Sequence, residues 1–327
     1  MVNNAHPHMI GVLYPGEMGA SFAKLLGDAG YRVVTTLEGR STRTHRLCCE
    51  AGLSVVDSLA ELLRDSAVVI SLVSPGAALS LAKEVATLLG GLERPGRRLL
   101  YMDANSISPM TVAQISEVLR RVHVDFVDAS IFGLASQLRQ RGTLYLSGSR
   151  ADEISHEFEP FLHVKVVGDR PGQASAFKMI VSGIPKGLSG LFIETMLFAQ
   201  DMDLLDEALE ACDEIYPSMM EVVRRMVPTY PQHAARRSQE LQAVEETMLI
   251  SGSTPRIVRA VREVTSALAN IDWPADHDPQ QWTIPEVIRE IHKEGILRAS
   301  ESHSSQSPEQ SCEDGGQPIS IGYRSTF

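Results

Sequence analysis

Cysteine is scarce in this chain and too scattered to build anything. The 327 residues hold four, Cys48 and Cys49 adjacent and Cys212 and Cys312 alone. No Cys-x-x-Cys pair and no Cys/His ligand spacing occurs, so no structural metal site is expected. Thiols in that arrangement fit a reduced, intracellular compartment. Positive charge is short as well. Thirty lysines and arginines against 41 acidic residues leave a net charge of −11, which argues against a nucleic-acid surface. No run of about 18 apolar residues offers a membrane span. The first residues include His6 and His8 but lack the basic-then-apolar pattern of a signal peptide. Ser325-Thr326-Phe327 is not a peroxisomal address. The expectation is a cytoplasmic protein whose partner is a small molecule, with no nucleic acid and no membrane.

The apolar content, 43%, is ordinary for a globular protein, and the length allows two domains with separate cores. The chain is organised around Met9 to Ala20. An apolar run of strand length, Met9-Ile10-Gly11-Val12-Leu13, meets Tyr14-Pro15-Gly16-Glu17. Met18, Phe22, Leu25, Leu26 and Ala29 then recur at helical spacing. Strand, tight turn and helix in that order open a dinucleotide-binding domain. Gly16 would let the backbone approach a pyrophosphate, held on the free N–H groups of the helix start, and Gly19 would let the helix lie close to its strand. One fingerprint glycine is missing, because Tyr14 stands in its place and Pro15 stiffens the turn. The alternative is an ordinary βα turn that holds no nucleotide.

A second strand, Tyr31 to Thr36, leads into Leu37-Glu38-Gly39-Arg40-Ser41-Thr42-Arg43. Glu38 suits the ribose hydroxyls of NAD, whereas Arg40, Ser41 and Arg43 suit the 2′-phosphate of NADP. A dianion needs charge-assisted donors, so the two cations and the hydroxyl favour NADP, with NAD possible and a solvated loop as the third reading. Strands follow at Ala67 to Val73, Arg98 to Met102, Asp125 to Ala129 and Gly142 to Ser147, separated by helices near Ser58 to Arg64 and Leu79 to Leu89. Ser74-Pro75-Gly76 and Asp103-Ala104-Asn105-Ser106-Ile107-Ser108-Pro109 fall at strand ends, where open α/β sheets hold ligands. Ser108 before Pro109 fits a helix N-cap.

Beyond Gly168-Asp169-Arg170-Pro171-Gly172 the strand signals stop. Ala174 to Met202 forms one long helical pattern broken only by Gly183 and Pro185. Lys178, Ser182 and Lys186 share a face of it among apolar neighbours. Lys178 either reaches out to water or sits in a cleft, where desolvation would lower its pKa and fit it for proton transfer. Four more helices follow, Leu204 to Tyr216, Ser218 to Met226, Gln232 to Ile250 and Pro255 to Ile271, and a short one lies within Trp273 to Gly295. On the third, His233, Arg236, Arg237 and Glu240 share a face that reads first as a surface network, with a subunit contact or substrate patch as alternatives.

These motifs together resemble the β-hydroxyacid dehydrogenase superfamily, with the NAD-binding domain of 6-phosphogluconate dehydrogenase and a second domain like that enzyme's C-terminal one. The resemblance covers Met9 to Ile271 and rests on Gly11-x4-Gly16-Glu17-Met18-Gly19, Arg40-Ser41, Asp103-x-Asn105-Ser106-x-Ser108-Pro109, Asp128-Ala129 with Gly142-Thr143-Leu144, Gly172-x5-Lys178-Met179 with Lys186-Gly187, and His233-Ala234-Ala235-Arg236-Arg237-x2-Glu240. It implies an α/β fold: a doubly wound Rossmann-type domain over 1–168, an all-α substrate and dimerisation domain over 169–298, and a disordered tail over 299–327.

The resemblance further implies an NADP-linked dehydrogenase or reductase. Lys178 would transfer the proton, assisted by Ser182. Tyr14, Pro15, Gly16, Glu17, Met18, Gly19, Arg40, Ser41, Arg43, Ser74, Pro75 and Asn105 would hold the cofactor, and Asn105, Ser106, Phe132 and Gly133 the substrate. A homodimer joined through the helical domains is expected. Two departures stand out: Ser182 replaces the family's asparagine, and Phe132-Gly133-Leu134 replaces its Ser-Gly-Gly carboxylate loop. A bulkier, less anionic carbonyl or an imine suits Phe132 better than a simple 3-hydroxy acid. The alternatives are an imine reductase and a cofactor-binding protein without turnover.

Overall fold

A computed structural model describes residues 9–93, 98–274 and 281–297. The expected tail over 299–327 and Cys312 lie outside them. The first half alternates strands and helices: β1 (Met9–Leu13), α1 (Glu17–Asp28), β2 (Arg32–Thr36), α2 (Thr42–Glu50), β3 (Ser54–Val56), α3 (Leu59–Asp65), β4 (Val68–Ser71), α4 (Ala78–Leu89) and β5 (Leu100–Asp103). Then come α5 (Pro109–Arg120), β6 (Asp125–Phe132), α6 (Leu138–Arg141), β7 (Thr143–Ser147), α7 (Ala151–Phe158) and β8 (His163–Gly168). The strands form one sheet in the order β3-β2-β1-β4-β5-β6-β7-β8. Every neighbouring pair is parallel except β6 with β7.

Side chains on alternate strand positions feed two separate cores. Ile10, Val12, Ile70 and Met102 pack with Phe22 and Leu26 of α1 on one face. Val34, Val69 and Tyr101 pack with α3, α4 and α5 on the other. A sheet covered on both sides explains the β-branched runs read from the sequence. Chain order reverses between β1 and β4, so the crevice at their carboxyl ends is where this architecture takes a ligand.

Five elements escape the sequence reading: α2, β3, α6, α7 and β8. Helix α2 begins inside the loop assigned to the cofactor, with Ser41 as its N-cap, and Cys48 is its buried residue. Strand β3 is a short edge with little burial. The second half is helical: α8 (Gln173–Asp201), α9 (Leu205–Ile215), α10 (Pro217–Met226), α11 (Tyr230–Ile250), α12 (Arg256–Leu268) and α13 (Ile284–Glu294). Contrary to expectation, α8 is long and apolar enough to cross a bilayer by length and composition. Its second half instead places Phe192, Ile193, Met196 and Leu197 in a core shared with Val223, Tyr230, Leu268 and Val287. The last helix is shorter than the 273–295 window, starting at a Thr283–Glu286 capping box.

Candidate active site

The β1–α1 turn holds Tyr14 at φ +45°, a left-handed conformation that glycine adopts without strain. Tyr14 thus supplies the shape of the missing fingerprint glycine. A Cβ on Gly16 would meet nothing within 4 Å, so the backbone there borders open space that leaves room for a ligand. A Cβ on Gly19 would come 2.9 Å from Pro15 Cβ and 3.4 Å from Leu72 Cβ, the close packing expected of it. No side chain caps α1, which leaves its first N–H groups facing the crevice. These features fit a pyrophosphate cradle.

The Arg40 guanidinium lies over the Tyr14 ring, 4.2 Å from its centroid. Burial and Glu84 push the Tyr14 phenol up while Arg40 pulls it down. Of the three residues expected at the 2′-phosphate, Arg40 lines the cleft. Ser41 is a helix cap, its hydroxyl accepting from Thr44 N at 3.4 Å, and Arg43 is exposed, 3.9 Å from Glu17. Among the described residues Arg40, Glu38 and Thr44 line the cleft from this loop, and Ser41 and Arg43 do not.

The cleft measures 1020 Å³ and runs from this end past Met18, Ser74 and Pro75 to Asn105, Ser106, Phe132, Gly133, Lys178 and Ser182. Asn105, expected to touch both cofactor and substrate, lines the cleft. It is 2% exposed, its Oδ1 accepts from Val73 N at 2.6 Å, and its Nδ2 donates to Ser71 Oγ at 2.9 Å and Asp103 Oδ2 at 3.0 Å. The side chain therefore ties the β4 loop to the β5 loop and has no donor left for a ligand. Burial pushes the Asp103 carboxyl up to about 7 against the hydrogen bonds from Asn105. Phe132 lines one wall and packs against Tyr145 and Phe177, at centroid distances of 5.0 and 6.0 Å.

Helix α8 is pinned to the sheet at its start. Asp128, on β6, accepts from Gly172 N at 2.9 Å, Ser175 N at 3.0 Å, Ser175 Oγ at 2.7 Å and Ser147 Oγ at 3.0 Å. Its carboxylate satisfies the orphan N–H groups of the helix and complements the positive end of the dipole. The pin sets Lys178 at the mouth of the sheet, where its Nζ donates to Ser106 Oγ at 2.8 Å. Burial lowers the Lys178 pKa, with Lys186 and Arg236 acting the same way and Glu240 opposing. Lys178 lines the cleft.

Two turns on, Lys186 is buried at 5% exposure. Its Nζ donates to Ser182 O and Ser182 Oγ, each at 3.1 Å, and pairs with Glu240 at 3.1 Å. The face shared by Arg236 and Arg237 is divided. Arg236 reaches the cleft and lies 3.7 Å from Glu240. Arg237 is buried, donating to Met226 O at 3.0 Å and Thr229 Oγ1 at 2.6 Å. It is a packing residue rather than part of a surface network. No metal-binding group of histidine, cysteine or carboxylates occurs among the described residues.

The sequence and the fold have counterparts. Residues 9–165 match the NAD binding domain of 6-phosphogluconate dehydrogenase, and residues 199–268 match a domain of unknown function, DUF1932. A conserved protein of unknown function, whose structure is described as similar to 3-hydroxyacid dehydrogenases, is 30% identical, with 80% of this chain and 97% of that one aligned at a TM-score of 0.66. An uncharacterized 28.5 kDa protein of Methanothermus fervidus is 25% identical over 78% of this chain and 96% of its own. The 3-hydroxyisobutyrate dehydrogenase of Mycobacterium tuberculosis shares the fold at 18% identity, covering 89% and 99% of the two chains with a TM-score of 0.65.

Proposed function

This chain belongs to the β-hydroxyacid dehydrogenase superfamily, and from that premise we propose that it is an NADP-dependent oxidoreductase acting on a carbonyl or hydroxyl carbon of a small molecule. The observation that carries the reading is the sharing of one cleft by the bare Gly16 turn and the Lys178 ammonium. The cofactor would lie with its diphosphate on the start of α1, its 2′-phosphate at Arg40 and its nicotinamide beside Ser74 and Pro75. When bound it supplies or takes the hydride at C4 of that ring.

The chain's own residues handle the proton. As a substrate carbonyl oxygen gains negative charge, Lys178 gives it a proton and is left a neutral amine, the form that burial favours. In the oxidative direction the amine takes the hydroxyl proton. Ser106 orients Lys178 through the 2.8 Å hydrogen bond. Ser182 accepts from Lys186 and keeps its own O–H to donate toward the same substrate oxygen. Asn105 acts at one remove by fixing the loops that shape the cleft. A second reading, reduction of an imine, draws on the aromatic wall around Phe132, which offers a carboxylate no charged donor.

Turnover of a ketone and imine panel with NADPH tests the reading. Activity on ketones alone eliminates the imine reading, and tight NADPH binding without turnover on either set favours a non-catalytic binder. In Arg40→Ala, NADPH affinity should fall about tenfold, with NADH affinity unchanged. An equal response of both, followed by fluorescence titration, removes the 2′-phosphate assignment.

The outer face of α8 supports a homodimer. Ile180, Ile184, Leu191, Phe198 and Met202 recur along it and each is more than half exposed, a stripe long enough to call for a cover. Light scattering should give twice the 35.8 kDa chain mass. A mass of one chain at micromolar concentration removes the dimer. A reduced compartment such as the cytoplasm agrees with the free Cys48, Cys49 and Cys212.

A further inference from the structure

Behind Lys178 the cleft opens into a second, smaller chamber of 120 Å³. The two spaces share Asn105, Ser106, Lys178 and Ser182, so Lys178 stands at the passage between them. The chamber lies between the end of the sheet, α8 and α11. Its far walls are apolar: Ile107, Met179, Ala243 and Val244.

Most polar groups around it are already engaged. The Asn105 amide bonds to Val73, Ser71 and Asp103, and the Ser175 hydroxyl to Asp128. The Lys186 ammonium is matched by Ser182 and Glu240. Ser130 is the exception. It lines the chamber, is 0% exposed, and its hydroxyl has no hydrogen-bond partner. A buried hydroxyl left unpaired costs about 1–3 kcal/mol, which a hydrogen-bonding group seated in the chamber would recover.

Size and charge narrow that group. A 150 Å³ cavity holds six heavy atoms in the known case of benzene, so 120 Å³ admits about four or five. Lys186 is neutralised by Glu240, and a carboxylate entering the chamber would meet the Glu240 charge with no spare cation but Lys178. We propose that the chamber is a subsite for a short, uncharged arm of the substrate, apolar along its length and ending in a hydroxyl or amide that pairs with Ser130. This rests on the reading of the cleft as the reaction site. It places the reacting carbon at the passage, with the arm on the side of Lys178 away from the cofactor.

Two methionine methyl groups report the two spaces separately: Met18 in the cleft and Met179 in the chamber. The full chain, labelled with [13C-methyl]methionine and assigned with Met18→Leu and Met179→Leu, is titrated with NADPH, n-butanol, propionamide and propionate. NADPH should shift Met18. Butanol and propionamide should shift Met179 saturably, with or without NADPH, and more tightly than propionate. Ala243→Leu should abolish the Met179 response, and Ser130→Ala should weaken propionamide about threefold to tenfold. A Met179 signal that no probe moves, or that moves equally in Ala243→Leu, overturns the subsite. Tighter binding of propionate overturns the uncharged arm. Failure of NADPH to move Met18 overturns the cofactor reading, while the Met179 titrations made without NADPH still judge the chamber.

Discussion

Around Lys178, α8 faces a cleft; around Lys186, two turns later on the same side, it faces another helix. The first ammonium has one neutral partner, Ser106 Oγ at 2.8 Å, and burial lowers its pKa. The second is almost fully enclosed and has a backbone carbonyl, a hydroxyl and a carboxylate around it. A lysine that must exchange a proton is desolvated without being neutralised, so that both of its forms are accessible. A lysine that holds two helices together is desolvated and fully paired. Composition and helical face are the same in both regions; the opposing partner differs.

The largest effect expected from breaking this contrast is on Lys178. Lys178→Ala should lower kcat about a thousandfold while NADPH affinity, followed by fluorescence, stays within about twofold because the diphosphate end is untouched. Full activity in that variant would make the two regions equivalent. Lys186→Met should do the converse, lowering unfolding free energy in urea by about 2 kcal/mol. That is less than for a fully buried pair, because Glu240 keeps 37% of its side chain exposed. The smallest effect links the two regions. Glu240 holds the Lys178 pKa up, so Glu240→Gln should lower it further. Carbonyl reduction needs the ammonium and is lost as pH rises through that pKa. The alkaline limb of kcat/KM should therefore move to lower pH in the variant; an unmoved limb means that the charge at Glu240 does not reach Lys178.

The same contrast explains what could be read from the sequence. Val68 to Ser71 and Leu100 to Asp103 were legible as buried strands because burial on both faces leaves continuous apolar runs. Helix α8 was legible from its periodicity, and Lys178 from its place on that helix within the family's motifs. Helix α2 was not, since Thr42-Arg43-Thr44-His45-Arg46-Leu47-Cys48 has one buried position and no apolar stripe. Its cap, Ser41, therefore carries no local sign of the capping role. The Asn105 clamp depends on Ser71, 34 residues away, and the engagement of Lys186 depends on Glu240, 54 positions on. Neither pairing leaves a mark on local spacing. Ser130 sits in an unremarkable strand, and its isolation exists only once β6, α8 and α11 have met. Arg236 and Arg237 are adjacent, and one residue of helical rotation, about 100°, sends one to the cleft and the other into the core.

Pro185 lies between the two lysines, with Gly183 just before it. Pro185 carries no N–H for the helical ladder, and Gly183 has no neighbour that a side chain would touch. On one side of this weak joint, Asp128 rivets the start of α8 to the sheet; on the other, Lys186 is riveted to α11 through Glu240. Any rocking of the helical half against the sheet would therefore flex here, stretching or squeezing the gap between two like charges. The distance between those two nitrogens would report such a motion.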